Sequence, residues 1–343
     1  MKFRMPLAMV ALTALSLSLP IQADDDLRSR ADKHAPASLM GDHLHKPGEW
    51  MVEYKYMNMF MDGNRAGSQS LSDEDALGFG DGFFATPTNM TMEMHMLHVM
   101  YGYTEDVTLY TMLMLPSITM DHLRGPTFPA AALRGLPFTV HNSGLGDTGI
   151  GALVRLYSDE DDDLILNLGA SLPTGDIYRT TSIPTNGHSD QTLPYPMRLG
   201  SGTFNARPGI TWKRYYEFGS FGAQFQTDLP IGRNYRGYSV SDDYRLNAWY
   251  SQLITNNLST SIRIQNLWRS NFDGVDLETP DAVISTNVED FRGGYSLNLG
   301  LGAAALLGEN LLNVEFVPTL YQDLNGVQLE TDWSLAASWS KSL

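Results

Sequence analysis

From residue 49 onward, apolar and polar side chains alternate with a period of two, and helical i, i+3, i+4 stripes are rare. Trp50, Val52, Tyr54 and Tyr56 share one face of the first such segment, with Met51, Glu53, Lys55 and Met57 on the other. Leu164, Leu166, Leu168, Ala170 and Leu172 likewise oppose Asn167, Gly169 and Ser171. Leu258, Ile262, Ile264 and Trp268 oppose Ser259, Ser261, Arg263 and Gln265. Successive strand side chains point to opposite faces, so each segment is a strand with one greasy and one polar face. A chain with 31 Gly, 16 Tyr, 14 Phe and only 18% charged residues suits strands and turns better than helices.

The alternation predicts twelve strands, near 49–61, 90–103, 107–116, 148–157, 164–172, 203–214, 219–229, 243–254, 258–269, 292–304, 311–320 and 329–342. Short connections (104–106, 158–163, 215–218, 255–257, 305–310) alternate with long ones (62–89, 117–147, 173–202, 230–242, 270–291) and a shorter loop at 321–328. An even strand number, short periplasmic turns and long extracellular loops are the pattern of a transmembrane antiparallel outer-membrane β-barrel. A soluble sandwich also alternates, but its loops have no reason to alternate in length. In lipid every backbone polar group must be paired, so the sheet has to close. The apolar face then meets outer-membrane lipid, with Trp50, Tyr101, Tyr103, Trp268, Trp333 and Trp339 as interface girdles. Glu53, Lys55, Arg155, Asn167, Arg207, Lys213, Gln224, Gln226, Asp228, Arg245, Arg263, Glu315 and Asp332 line the interior. Twelve strands ~4.8 Å apart and tilted ~40° give a backbone diameter of about 24 Å. Such a lumen suits ions or small solutes, not a folded partner.

The start of the chain fits export. Met1-Lys2-Phe3-Arg4 is a basic n-region, Met5 to Leu19 an apolar stretch, and Ala23 the small residue at a cut. The expected organisation is a signal peptide at 1–23, a periplasmic segment at 24–48 and the barrel at 49–343. No later run reaches the length of a membrane helix. Loss of Lys2 and Arg4 takes the net charge from −16 to −18, which repels nucleic acid and anionic surfaces. The absence of cysteine removes disulfides, thiol nucleophiles and Cys zinc sites.

Methionine and histidine are distributed unevenly. Of 17 Met, thirteen fall between residues 40 and 120, and six of the eight His lie between 34 and 122. Met90, Met92, Met94, Met96, His98 and Met100 share one strand face, opposite Leu97, Val99, Tyr101 and Tyr103. That opposition predicts a lumenal Met face, although Glu93 and His95 fall on the lipid parity. Met57, Met59 and Met61 on the first strand and Met112 and Met114 on the third extend the inner wall, with Met120 and His122 beyond it. Thioether with imidazole is a soft donor set that selects Cu(I) over hard cations. His34, Met40, His43 and His45 add donors for copper ahead of the barrel. A ladder of weak sites combines selectivity with passage. Three plainer readings stand beside this one: flexible Met packing the interior, an adaptable path for small hydrophobic solutes, or a reversed parity with Met facing lipid.

Two motifs carry no chemistry in this setting. Gly144-Leu145-Gly146-Asp147-Thr148-Gly149 matches G-x-G-x-x-G, but it leads into a strand rather than a helix. Asp159 to Asp163 lacks the spacing and glycine of a calcium loop. With no G-x-S-x-G elbow fixing a base to a nucleophile, an enzyme is not expected. Gly144-Leu145-Gly146-Asp147, followed by Leu168-Gly169-Ala170-Ser171-Leu172-Pro173-Thr174-Gly175-Asp176, resembles a hairpin of the outer-membrane transporter family labelled "MetA-pathway of phenol degradation". Met40-Gly41-Asp42-His43, Lys46-Pro47-Gly48-Glu49-Trp50, Tyr321-Gln322-Asp323-Leu324 and Leu329-Glu330-Thr331-Asp332-Trp333 resemble a Met/His-rich branch of it. The resemblance implies a barrel that transports small compounds, aromatic ones among them, and it supplies no binding residues; a Met wall departs from what a phenol channel needs. The expected function is thus an outer-membrane channel for small solutes whose lumenal Met/His wall points to binding or passage of copper, with uptake of small hydrophobic or aromatic compounds and a non-conducting structural or binding barrel as alternatives.

Overall fold

The computed structural model describes residues 30–80, 82–181, 191–276, 278–279 and 284–343, so the expected leader at 1–23 lies outside the described residues. Its strands are β1 Trp50–Gly67, β2 Gln69–Leu71, β3 Ala85–Thr104, β4 Val107–Arg124, β5 Pro137–Ser143, β6 Thr148–Ser158, β7 Asp162–Leu172, β8 Thr180–Thr181 and β9 Gln191–Thr192. They continue as β10 Phe204–Tyr216, β11 Gly219–Ile231, β12 Tyr238–Ser239, β13 Asp243–Thr255, β14 Leu258–Arg269, β15 Asp273–Gly274, β16 Gly294–Leu307 and β17 Asn310–Ser342. Among the described residues no helix is long and apolar enough to cross a membrane.

Eleven strand elements form one antiparallel ring in the order β1, β3, β4, β6, β7, β10, β11, β13, β14, β16, β17, and β17 pairs back onto β1. β2 and β5 add to β1 and β4 outside this ring. β17 is antiparallel to both β16 and β1, which an odd ring of straight antiparallel elements does not allow. β17 therefore reverses within its own length. Its first part pairs with β16 as far as Gly294↔Leu324, and its second pairs with β1 from Arg65↔Gln328 to Met51↔Ser342, with Leu324 also opposite Gly67. Gly326, at φ 69°, follows Asn325 at the reversal and adopts the left-handed region that favours glycine. Gln322 bridges the two arms, donating from Nε2 to the Thr331 carbonyl at 3.0 Å and accepting from its N–H at 2.9 Å. Eleven elements thus supply twelve staves, the number the alternation predicts.

The start of β1 and the end of β17 meet where Leu343 N–H donates to the Trp50 carbonyl at 2.7 Å. This is the end of the short turns, since Trp50 pairs with Tyr101 just before the β3–β4 turn. The faces also follow the sequence. Leu97, Leu113, Leu168, Phe225, Ile262, Leu301 and Phe316 are exposed on the outside. Lys55, Asn167, Lys213, Gln224, Asn247, Arg263 and Glu315 are buried on the inside. Glu93 and His95 do lie on the outer face, where the Tyr56 hydroxyl bonds Glu93 at 2.8 Å and the Tyr54 hydroxyl is 2.6 Å from His95 Nδ1.

β1, β3 and β4 overrun the expected strands. They reach 18, 20 and 18 residues, against the 9–11 or so needed to cross a bilayer. Their long-loop ends pair with β2 and β5 and meet folded loops instead of lipid, so the alternation that marks a lipid-facing strand is lost there. One core lies at that end. It gathers Met90, Ile118, Met120 and Val140 from the strands with Leu193, Met197 and Leu199 from the 173–202 connection.

At the opposite end, residues 30–48 are threaded into the barrel mouth. The inward polar side chains catch the backbone of this segment one after another. Lys213 Nζ donates to the Lys33 carbonyl at 3.0 Å, Asn313 to Ala35 at 2.9 Å, Lys55 to Leu39 at 3.2 Å and Gln224 to Met40 at 2.8 Å. Glu315 accepts the Ser38 N–H at 2.9 Å, and Thr108 accepts that of His45 at 2.9 Å. A buried backbone polar group without a partner is costly, so a polar inner wall is what admits an irregular segment here. Residues 30–48, within the stretch expected as a periplasmic segment, thus form a plug in the barrel mouth.

Candidate functional site

Registered strand pairing turns three sequence-separated Met runs into one surface. Across β1 and β3, Met57 faces Met94, Met59 faces Met92, Met61 faces Met90 and Met51 faces Met100. Across β3 and β4, Met90 faces Met120, Met96 faces Met114 and His98 faces Met112. Directly opposed residues on one sheet face hold their Cβ atoms about 5 Å apart, within reach of flexible thioethers. Met90, Met96, Met100, Met112 and Met120 are buried, while the lipid-parity Leu97 is 43% exposed, so the Met face points inward.

The wall is not uniform along the barrel axis. At the long-loop end Met61, Met90, Met92 and Met120 pack into the apolar core with Leu193, Met197 and Leu199. His122 lies at that rim, its ring stacked on Phe138 with centroids 4.6 Å apart. At the short-turn end Met51 and Met100 pack with Leu153, Ile165 and Leu44 of the plug. Between them Met57, Met59, Met94 and Met114 are only half-buried. This middle band of the Met face belongs to neither apolar core.

The plug brings the remaining predicted donors to the foot of the wall. His43 contacts His34 and His45 edge-on, with ring centroids 4.7 Å and 5.0 Å away. His45 Nδ1 lies 3.3 Å from a Glu49 carboxylate oxygen. A cavity between plug and wall is lined by His34, Met40 and His43 on one side and by Met51, His98 and Met100 on the other. Burial, reinforced by the neighbouring His43, pushes the His34 imidazole well below its ordinary pKa. Burial and His43 likewise lower His45 to about 4, against a counterpull from Glu49. Burial alone would raise the Asp42 carboxyl, but His43 beside it and Lys213 hold it well below the usual carboxylate range. At neutral pH, then, His34 and His45 are neutral imidazoles with lone pairs to offer and Asp42 is a carboxylate, the forms that ligate metals. Asp42 is a participant that residue types alone did not single out; the adjacent Asp42-His43 pair was its one signal.

The sequence decoys resolve into structural ties. Asp147 of the glycine-rich turn accepts from the N–H groups of Gly175 and Ser201 at 2.9 Å and 2.8 Å, binding both ends of the 173–202 connection to the start of β6. Asp159 is occupied at its own turn by the N–H groups of Asp161 and Asp162, at 3.0 Å and 2.8 Å.

No family model and no curated protein matches the chain. Among solved structures it is similar to an outer membrane channel from Pseudomonas putida F1, with a TM-score of 0.59 and 14% identity over 87% of this chain and 97% of that one. It also aligns with the P. putida toluene transporter TodX at a TM-score of 0.42 and 9% identity, over 94% of this chain and 98% of that one. What the first likeness and the closed ring establish together is the fold: this chain is an antiparallel β-barrel of the outer-membrane type.

Proposed function

We propose that the protein is an outer-membrane channel for small solutes whose lumenal thioether wall binds and passes copper in its cuprous state. The observation that carries this reading is the register that sets Met57 against Met94, Met59 against Met92 and Met96 against Met114 on the inner face. Thioethers are weak, soft donors, so an ion held by two or three of them transfers readily to the next set. The half-buried middle band supplies such sets without a fixed cage, and no charged side chain is needed to hold a monovalent ion there. Titration of the purified barrel with Cu(I) under reducing conditions tests the reading. A variant carrying Met59→Leu, Met92→Leu and Met94→Leu is expected to weaken binding at least tenfold, or about 1.4 kcal/mol. Unchanged binding in a folded variant overturns it.

A second reading has its own support. The outer Met residues pack with Leu193, Met197 and Leu199 rather than standing free, and a flexible apolar lining of this kind also suits small hydrophobic or aromatic cargo. This agrees with the substrate class that the "MetA-pathway of phenol degradation" resemblance implies. Under it the same Leu variant keeps aromatic uptake at the unmodified rate, because apolarity rather than sulfur is what matters.

A further inference from the structure

The inserted segment carries a donor set of its own, apart from the thioether wall. His34, Asp42 and His43 each present a ligand atom within 4.8 Å of the others. Their arrangement is built rather than incidental. Asp42 Oδ1 lies 2.9 Å from His43 Nδ1, and Asp42 Oδ2 accepts the Ala35 N–H at 2.8 Å, with Lys213 Nζ 3.9 Å away. A carboxylate held in this way accepts a hydrogen bond from His43 Nδ1–H and fixes the ring, so that Nε2 is the nitrogen left to ligate. That atom is buried and has no hydrogen-bond partner. A histidine oriented through one nitrogen by a carboxylate, with the other nitrogen open, is the arrangement ligating histidines adopt. His98 enters the same cavity from β3, and its Nε2 is also buried and unpartnered.

We propose that His34 and His43, with Asp42 as ligand or orienting carboxylate, form a site for a borderline divalent cation inside the plug, taking cupric ion in preference to zinc. Two imidazoles and a carboxylate are donors of intermediate softness, too nitrogen-rich for calcium or magnesium. For one such donor set affinity rises from zinc to copper along the divalent series. His98 and the thioethers of Met40, Met51 and Met100 line the remaining side of the cavity. His34 and the Asp42-His43 pair stand on the two arms of one short stretch, so an ion there ties residues 34 to 43 into a closed loop across the barrel mouth. The inference deepens the copper reading above and shares with it only the choice of cargo, since its ligands lie on the plug and not in the middle band.

The test uses the purified full-length barrel in detergent, titrated with cupric sulfate without reductant and followed by electron paramagnetic resonance. One tight equivalent is expected, with nitrogen superhyperfine structure from imidazole, and zinc in tenfold excess should not displace it. His34→Asn and His43→Gln are expected to weaken it at least tenfold each, while Met59→Leu/Met92→Leu/Met94→Leu leaves it unchanged. The heat-dependent gel mobility of a closed barrel verifies folding of every variant, and Asp42→Asn gives a milder change at the same site. Absence of a tight cupric equivalent in the unmodified protein overturns the proposal, as does undiminished binding in both folded histidine variants. Loss of Cu(I) binding without loss of the cupric signal in the methionine variant supports two distinct sites. Loss of the cupric signal in that variant places the ion on the wall and overturns the plug site.

Discussion

At the scale of single residues, the lumen is defined by charges that have been taken out of water in pairs. Arg263 Nε donates to Glu315 at 2.8 Å and its Nη1 to Asn247 at 2.8 Å, while the other Glu315 oxygen accepts from Ser38 of the plug. Both charged side chains are essentially inaccessible, at 1% and 0%. Deleting one partner of such a pair leaves the other buried and uncompensated, which costs more than the pair contributes. Glu315→Ala is therefore expected to destabilise the barrel by about 3 kcal/mol in urea unfolding. The double change with Arg263→Met should recover much of that loss. A Glu315→Ala barrel as stable as the parent means that the inner wall is wetter than its burial indicates.

At the scale of elements, the plug is the part whose position governs everything beneath the Met wall. It leaves the barrel beside Gly102 of β3, with the Gly48 N–H donating to the Gly102 carbonyl at 2.8 Å and the Gly102 N–H to that of Glu49 at 2.9 Å. A Cβ at Gly102 would collide with the backbone carbonyl of Lys46, so only glycine lets the chain pass this close. Gly102→Val should thus displace the plug without opening the ring, because the β1–β3 and β3–β4 pairings do not depend on it. Single-channel recordings in a planar bilayer are expected to show conductance at least twofold higher for Gly102→Val, and higher still when residues 30–46 are deleted. Equal conductance in all three proteins contradicts the plugging role.

For the whole molecule, the prediction concerns which solvent each face meets. Ile264 and Gln265 are neighbours near the middle of β14, with Ile264 39% exposed and on the outside. If that side faces acyl chains, Ile264→Arg costs roughly 2–4 kcal/mol in a lipid vesicle. Gln265→Arg, on the lumenal parity, should stay within about 1 kcal/mol. Folding yields into phosphatidylcholine vesicles report both, and equal tolerance of the two changes removes the membrane assignment. The two-sided test is decisive because a barrel in water has no reason to reject a cation from its outer face.

The strand pattern, the even stave number and the inward Met parity were legible in sequence, since each depends on the fixed two-residue period of an extended chain. The thioether surface was legible in part: parity placed Met57, Met94 and Met114 inside. It took the inter-strand register, which is set by turns and by closure of the ring, to bring Met57 to Met94 and Met96 to Met114. Loop and plug were not legible. Residues 30–48 have no period to read, and their place is decided by polar groups such as Lys55, Lys213, Gln224 and Glu315 that are far apart along the chain and meet only once the barrel has closed. The overrun of β1, β3 and β4 is of the same kind, because beyond the lipid their partners are folded loops and the alternation has nothing to encode. Sequence alone determined a cylinder and its two faces through a local geometric period; the tertiary structure decided what fills the cylinder, because that rests on contacts between residues the chain keeps far apart.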